Sequence, residues 1–181
     1  MKFEESQLEF YFDPQYWEMI QYDNHRDYVF ISSKLQGTKA MDFLGFFKNR
    51  LIMFEVKNFR GFGNRNNVEQ RLCNGMDELT TEIAQKVRDT IAVITALGRS
   101  EKNNFWIKTF RYIAENKPIT IIAWVEEDTN SSLKKRKKHE MSIRRGYLAK
   151  KLDWLTDPSL ISIDNVKEQH FCFDGFSVSS I

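Results

Sequence analysis

Residues 40–57 read Ala-Met-Asp-Phe-Leu-Gly-Phe-Phe-Lys-Asn-Arg-Leu-Ile-Met-Phe-Glu-Val-Lys. Two runs rich in aromatic and branched side chains, Ala40 to Phe47 and Leu51 to Lys57, are separated only by Lys48, Asn49 and Arg50. That pattern predicts two antiparallel strands joined by a tight turn. Side chains alternate along a strand, so Glu55 and Lys57 share a face, as do Asp42, Leu44 and Phe46 on the other strand. A two-residue turn brings the three charges to one side of the hairpin in either register. With Lys48-Asn49 as the turn Asp42 lies opposite Glu55, and with Asn49-Arg50 it lies opposite Lys57. A three-residue loop would separate them.

Phe43, Leu44, Phe46, Phe47, Leu51, Ile52, Met53, Phe54 and Val56 surround these charges, which places them in a largely desolvated sheet. An isolated buried ion costs on the order of several kcal/mol, so something must offset it. Two neighbouring carboxylates do so by holding a hard divalent cation, and Mg²⁺ is commonly bound by one or two carboxylates together with water and phosphate oxygen. A lysine two residues from one of them can orient an attacking water or stabilise charge developing on phosphorus. The plainer alternative is a Glu55–Lys57 salt bridge at a strand end, with Asp42 near solvent.

Outward from the hairpin, a polar loop from Asn58 to Asn67 carries Arg60, Gly61, Gly63 and Arg65. Its glycines allow backbone to approach a phosphate, and its arginines supply charge. Leu79, Ile83, Val87, Ile91 and Ile94 recur at helical spacing and predict a helix over 77–97, and a second is expected over 103–116. Ile119 to Val125 reads as a strand apolar on both faces, which calls for helices above and below it. Upstream, Asp13-Pro14 suits a helix start while Trp17, Met19 and Gln21 alternate like a strand, and Tyr28 to Leu35 suits either element. Leu160 to Ile163 fits a last strand, and the tail Phe171 to Phe176 is apolar enough to pack.

With 181 residues, 41% of them apolar and 29% charged, and with 8 Gly and 3 Pro, the chain reads as one domain over 1–181 with its core about 40–125. Collagen and low-complexity disorder are excluded. Cys73 and Cys172 stand far apart with no zinc-ligand spacing, and neither a signal peptide nor a membrane span is encoded, so a reduced, cytoplasmic protein is expected. The formal net charge is only +2, but it is unevenly distributed. Residues 134–151 hold nine basic residues and one acid, Glu140, which leaves the remainder of the chain at −6.

The hairpin with Met41-Asp42 and Glu55-Val56-Lys57, the following helix and the later buried strand resemble the PD-(D/E)xK nuclease superfamily, over roughly Ala40 to Val125. The resemblance implies an α/β, restriction-endonuclease-like fold, a central mixed β-sheet flanked by α-helices. It also implies divalent-metal-dependent hydrolysis of phosphodiester bonds, usually of DNA, by an endonuclease. Asp42 and Glu55 would then be ligands of Mg²⁺ or Mn²⁺, the Val56 carbonyl would complete the set, and Lys57 would be the catalytic lysine. Met41 stands where the family's nominal proline would be. The family often adds an upstream acid and a polar or basic group from the next helix; Glu9 and Glu18, and Gln85 and Lys86, are the candidates, with Lys86 preferred as a catalytic residue.

Beside such a centre, Arg60, Arg65, Lys134, Lys135, Arg136, Lys137, Lys138, Arg144 and Arg145 are expected to hold the nucleic-acid backbone, since clustered Lys and Arg neutralise phosphates without reading sequence. A homodimer or a protein partner supplying specificity is compatible with the lack of a base-reading motif. The alternative is a catalytically inactive module of the same fold that binds nucleic acid or an acidic protein.

Overall fold

A computed structural model of the chain describes residues 1–60, 76–100, 103–127 and 134–181, with side chains except at 76 and 134–138. In chain order its strands and helices are β1 (Lys2–Glu5), β2 (Leu8–Phe12), β3 (Trp17–Gln21), α1 (Arg26–Lys34), β4 (Phe43–Phe47), β5 (Arg50–Asn58), α2 (Met76–Gly98), α3 (Asn104–Ala114), β6 (Thr120–Glu126), α4 (Lys134–Leu152), β7 (Ile161–Asp164) and β8 (Phe176–Ser180).

The hairpin forms where its apolar runs place it. Phe43 pairs with Phe54 and Phe47 with Arg50, so Lys48-Asn49 is the turn, and Lys48 takes the left-handed conformation (φ 53°) that tight reversal needs. β3 adds antiparallel to the β4 side, while β6 and then β7 add parallel to the β5 side. The result is a mixed five-stranded sheet in the order β3-β4-β5-β6-β7. Parallel neighbours need crossovers, and α2 with α3 bridges β5 to β6 while α4 bridges β6 to β7.

Alternation along the strands divides the core in two. Leu44, Phe46, Leu51, Met53, Ile121, Ala123, Ile161 and Ile163 face a helical layer in which Ile83, Val87 and Ile94 of α2, Trp106 of α3, and Leu148 and Leu152 of α4 are buried. Phe43, Ile52, Phe54, Val56, Ile122 and Trp124 point the other way. There the expectation of a second helical layer is corrected. β6 is buried on both faces, but the cover on this side is a three-stranded antiparallel sheet, β1-β2-β8.

The cause lies in the period of the amino-terminal segment: Leu8, Phe10 and Phe12 recur every second residue and are fully buried, which a strand delivers to one face and a helix does not. Phe12 meets Trp17, Phe43, Phe54 and Phe176 with ring centroids 5.0–6.0 Å apart, so an aromatic layer joins the two sheets. Between β2 and the hairpin, the strand reading of Trp17–Gln21 holds, and the helical reading holds for α1, where the His25 ring accepts from the Asp27 N–H. No helix among the described residues is long and apolar enough to cross a membrane.

Gly45 allows β3 to lie against β4. A Cβ at that position would sit 2.7 Å from the Met19 Cα and closer still to the Glu18 carbonyl oxygen. Gly45→Ala is therefore expected to destabilise the protein by about 2–3 kcal/mol or to prevent folding, as overpacking against backbone does. Urea denaturation should show a lowered midpoint; an unchanged midpoint would mean that β3 is not held there.

Candidate active site

The strand register brings Asp42 opposite Glu55. The ladder continues one residue beyond β4: the Asp42 N–H donates to the Phe54 carbonyl at 3.0 Å, and the Asp42 carbonyl accepts from the Tyr22 N–H at 2.8 Å. Helix α2 fixes the approach to this residue. Met41 N–H donates to Thr90 Oγ1 at 3.1 Å, Lys39 N–H to Asp89 Oδ2 at 3.0 Å, and Lys39 Nζ to Gln85 Oε1 at 2.9 Å. Asp42 is thus tied to β3, β5 and α2 before its side chain makes a contact. Its carboxylate then accepts from the Val56 N–H at 2.6 Å.

The charged side chains form a line of alternating sign under α2. Lys86 Nζ bridges the two carboxylates, 3.1 Å from Asp42 Oδ1 and 2.7 Å from Glu55 Oε1. Lys57 Nζ lies 3.0 Å from the same Glu55 oxygen and 3.0 Å from Glu82 Oε1. Glu82 and Lys86 are one helical turn apart and face the same way. Asp42, Glu55, Lys57 and Lys86 are therefore brought together. Glu82 is a further member, and its spacing from Lys86 was the available sign of it.

Glu55 is the most deeply placed of these groups, with no exposed surface. Its ammonium contacts are close, but neither is aligned as a hydrogen bond, and both carboxylate oxygens lack a hydrogen-bond partner among the described residues. Burial first, and the Asp42 charge second, push its pKa up to about 7 against the pull of Lys86 and Lys57. Burial opposes the charge on Lys86, yet Glu55 and Asp42 outweigh it and hold the ammonium well above its ordinary value. Lys57 is likewise raised: burial works against it, and the Glu55 charge and the hydrogen bond to Glu82 prevail. Glu82 is lowered, its own burial being outweighed by Lys57.

A second acid absent from the sequence reading is Asp23, which follows β3 beside Tyr22. Burial, then the Asp42 and Glu5 charges, raise its pKa to about 6, and Lys86 pulls in the opposite direction. Its Oδ1 is buried without a hydrogen-bond partner among the described residues. The upstream acids expected from sequence lie elsewhere: Glu9 pairs with Lys2 on the small sheet, and Glu18 with Lys108. Gln85 is engaged by Lys39.

The expected phosphate contacts are scattered. Arg144 is 1% exposed and paired with Glu127, so it is a buried ion pair and not an outward grip. Arg145 Nε donates to the Ile161 carbonyl at 2.8 Å, and Arg60 to Asn58 and Ser180. Arg65 and the side chains of Lys134, Lys135, Arg136, Lys137 and Lys138 lie outside what the structure describes, although α4 begins at Lys134.

Compared with protein-family models, curated proteins and solved structures, the chain finds no match. The chemistry of the site therefore rests on its own residues. Among the described residues no group of three or more His, Cys, Asp and Glu is arranged to hold a metal ion. Two hard oxygen donors do converge on one cation, the Lys86 ammonium. Two carboxylates completed by water and phosphate oxygen suit Mg²⁺ or Mn²⁺, whereas Ca²⁺ and structural Zn²⁺ draw more protein ligands. The donor set fits the former pair.

The raised pKa of Glu55 has a signed consequence for stability. A carboxyl of pKa 4.5 in the unfolded chain and about 7 in the folded one holds its proton more tightly when folded. Stability attached to that proton is full below pH 4.5 and is lost as pH rises through about 7. Glu55→Gln, which mimics the protonated form, should gain stability relative to wild type across that window and hold a constant margin above it. Chemical denaturation at a series of pH values measures this, and a margin that shrinks with rising pH would contradict the assignment.

Proposed function

We propose that the protein is a divalent-metal-dependent nuclease of the restriction-endonuclease-like kind, hydrolysing phosphodiester bonds of DNA. The observation that carries this reading is the convergence of Asp42, Glu55 and Lys57 on the helix-facing side of one hairpin, where charges would otherwise be excluded. The order of elements supports it: a β-hairpin, a long helix, and a strand returning parallel beside the second hairpin strand.

Asp42 and Glu55 would hold Mg²⁺ or Mn²⁺, with the Val56 carbonyl as the third protein ligand. A metal bound there supplies Lewis-acid polarisation of a phosphoryl oxygen and a water of lowered pKa. The chain's own groups do the rest. Lys57, held between Glu55 and Glu82, presents an ammonium that can donate to the attacking water or to the phosphoryl oxygen as charge builds on it. The Val56 N–H and the α2 contacts to residues 39–41 keep the Asp42 carboxylate from turning. Asp23 adds negative charge at the edge of the site and strengthens the field that draws in a cation.

One observation favours a second reading. Two ammonium groups already neutralise the buried carboxylates, as they would in a non-catalytic module of this fold that binds nucleic acid or an acidic partner. Activity separates the two. Incubated with plasmid and linear DNA, the protein should cut in Mg²⁺ or Mn²⁺ and stop on chelation, and Asp42→Asn, Glu55→Gln and Lys57→Met should each lower the rate by about 10²-fold or more. Inertness in every metal, or cutting that these variants leave intact, would remove the nuclease reading.

A further inference from the structure

We propose that Lys86 is a built-in competitor for the divalent cation: its ammonium takes the place between Asp42 and Glu55 that a metal needs, and the metal loads only as Lys86 leaves. This rests on the metal-dependent reading and concerns how that centre is filled.

The two lysines of the cluster are not equivalent. Lys57 pairs with Glu55 and Glu82 and not with Asp42, so it stands to one side of the carboxylate pair. Lys86 alone among the described residues touches both members of the pair, at 3.1 and 2.7 Å. A cation bridging Asp42 and Glu55 would lie within a few ångströms of the Lys86 charge, and like charges that close in a poorly solvated site exclude one another.

Departure needs only side-chain rotation. The α2 backbone is anchored by Ile83, Val87 and Ile94 in the core and by the hydrogen bonds to residues 39–41, so the Lys86 Cα stays in place. Its side chain is 15% exposed, so part of it already borders water. Two further acids lie near enough to feel its charge: Glu82, one turn earlier on the same face and paired with Lys57, and Asp23, whose buried Oδ1 lacks a hydrogen-bond partner among the described residues. On this reading the buried carboxylates are balanced in both states, by Lys86 before loading and by the metal after it.

The test is Mn²⁺ binding to the full chain, followed by calorimetry and by the magnetic resonance signal of free Mn²⁺. Lys86→Met removes the charge and keeps the stem, and it should bind Mn²⁺ at least about tenfold more tightly than wild type. Lys86→Arg keeps the charge and should bind no more tightly. Lys57→Met should gain less than Lys86→Met.

A measurement on the unmodified chain covers the case in which Lys86→Met does not fold. Reductive methylation with mass-spectrometric readout should find Lys86 protected without metal and several-fold more reactive at saturating Mn²⁺. Equal or weaker Mn²⁺ binding by Lys86→Met, or Lys86 reactivity unchanged by bound Mn²⁺, would overturn the competitor role and leave the metal centre standing. No Mn²⁺ binding by any of the proteins would overturn the metal centre itself, and this proposal with it.

Discussion

Two carboxylates side by side in a sheet of Phe, Leu, Ile and Met oblige the chain to supply positive charge at the same depth. Asp42 and Glu55 are neighbours across the β4–β5 ladder, 5% and 0% exposed, where an unpaired charge is costly. Lys86 and Lys57 meet that demand in the free protein, and Glu82 closes the line at its outer end. Much of the local structure follows from this. The hydrogen bonds from residues 39–41 to α2 hold the helix where its lysine can reach both acids, and the Val56 N–H steadies the Asp42 carboxylate from within the sheet.

The two layers covering the central sheet have separate roles. The aromatic contact with β1-β2-β8 involves Phe10, Phe12, Trp17, Phe43, Phe54, Trp124 and Phe176, and it contains none of the clustered charges. It holds the hairpin from behind. The helical side carries both the larger aliphatic core and the charged line, so the same face that stabilises the fold holds the clustered charges. Because side chains alternate, this separation is a direct result of period-two sequence: Leu51, Met53, Glu55 and Lys57 face the helices, and Ile52, Phe54 and Val56 face the small sheet.

How much of this could be read from the sequence depended on how local the determinant was. The hairpin, α2 and the inward placement of Asp42, Glu55 and Lys57 follow from residues within a few positions of one another. The choice between two registers turned on the Lys48 backbone, which composition does not specify because lysine seldom takes a left-handed φ. Asp23 was hidden for a different reason. It reaches the site only because β3 pairs with β4, Gln21 opposite Phe43, across some twenty residues whose local pattern fits a helix or a strand. The small sheet was missed for the same reason, since β8 joins β2 from the far end of the chain. Arg144 shows the limit of reading charge runs: it belongs to a basic segment, yet it is buried and paired with Glu127.

The central claim is that the pair Asp42 and Glu55 is a cation site which a lysine occupies in the free protein. Crystals grown without divalent metal and then soaked in Mn²⁺ test it most directly, through the anomalous scattering of manganese. The account predicts a peak between the Asp42 and Glu55 carboxylates, with the Lys86 ammonium moved away from both. A soaked crystal in which Lys86 still bridges the two acids and no peak lies between them would contradict it.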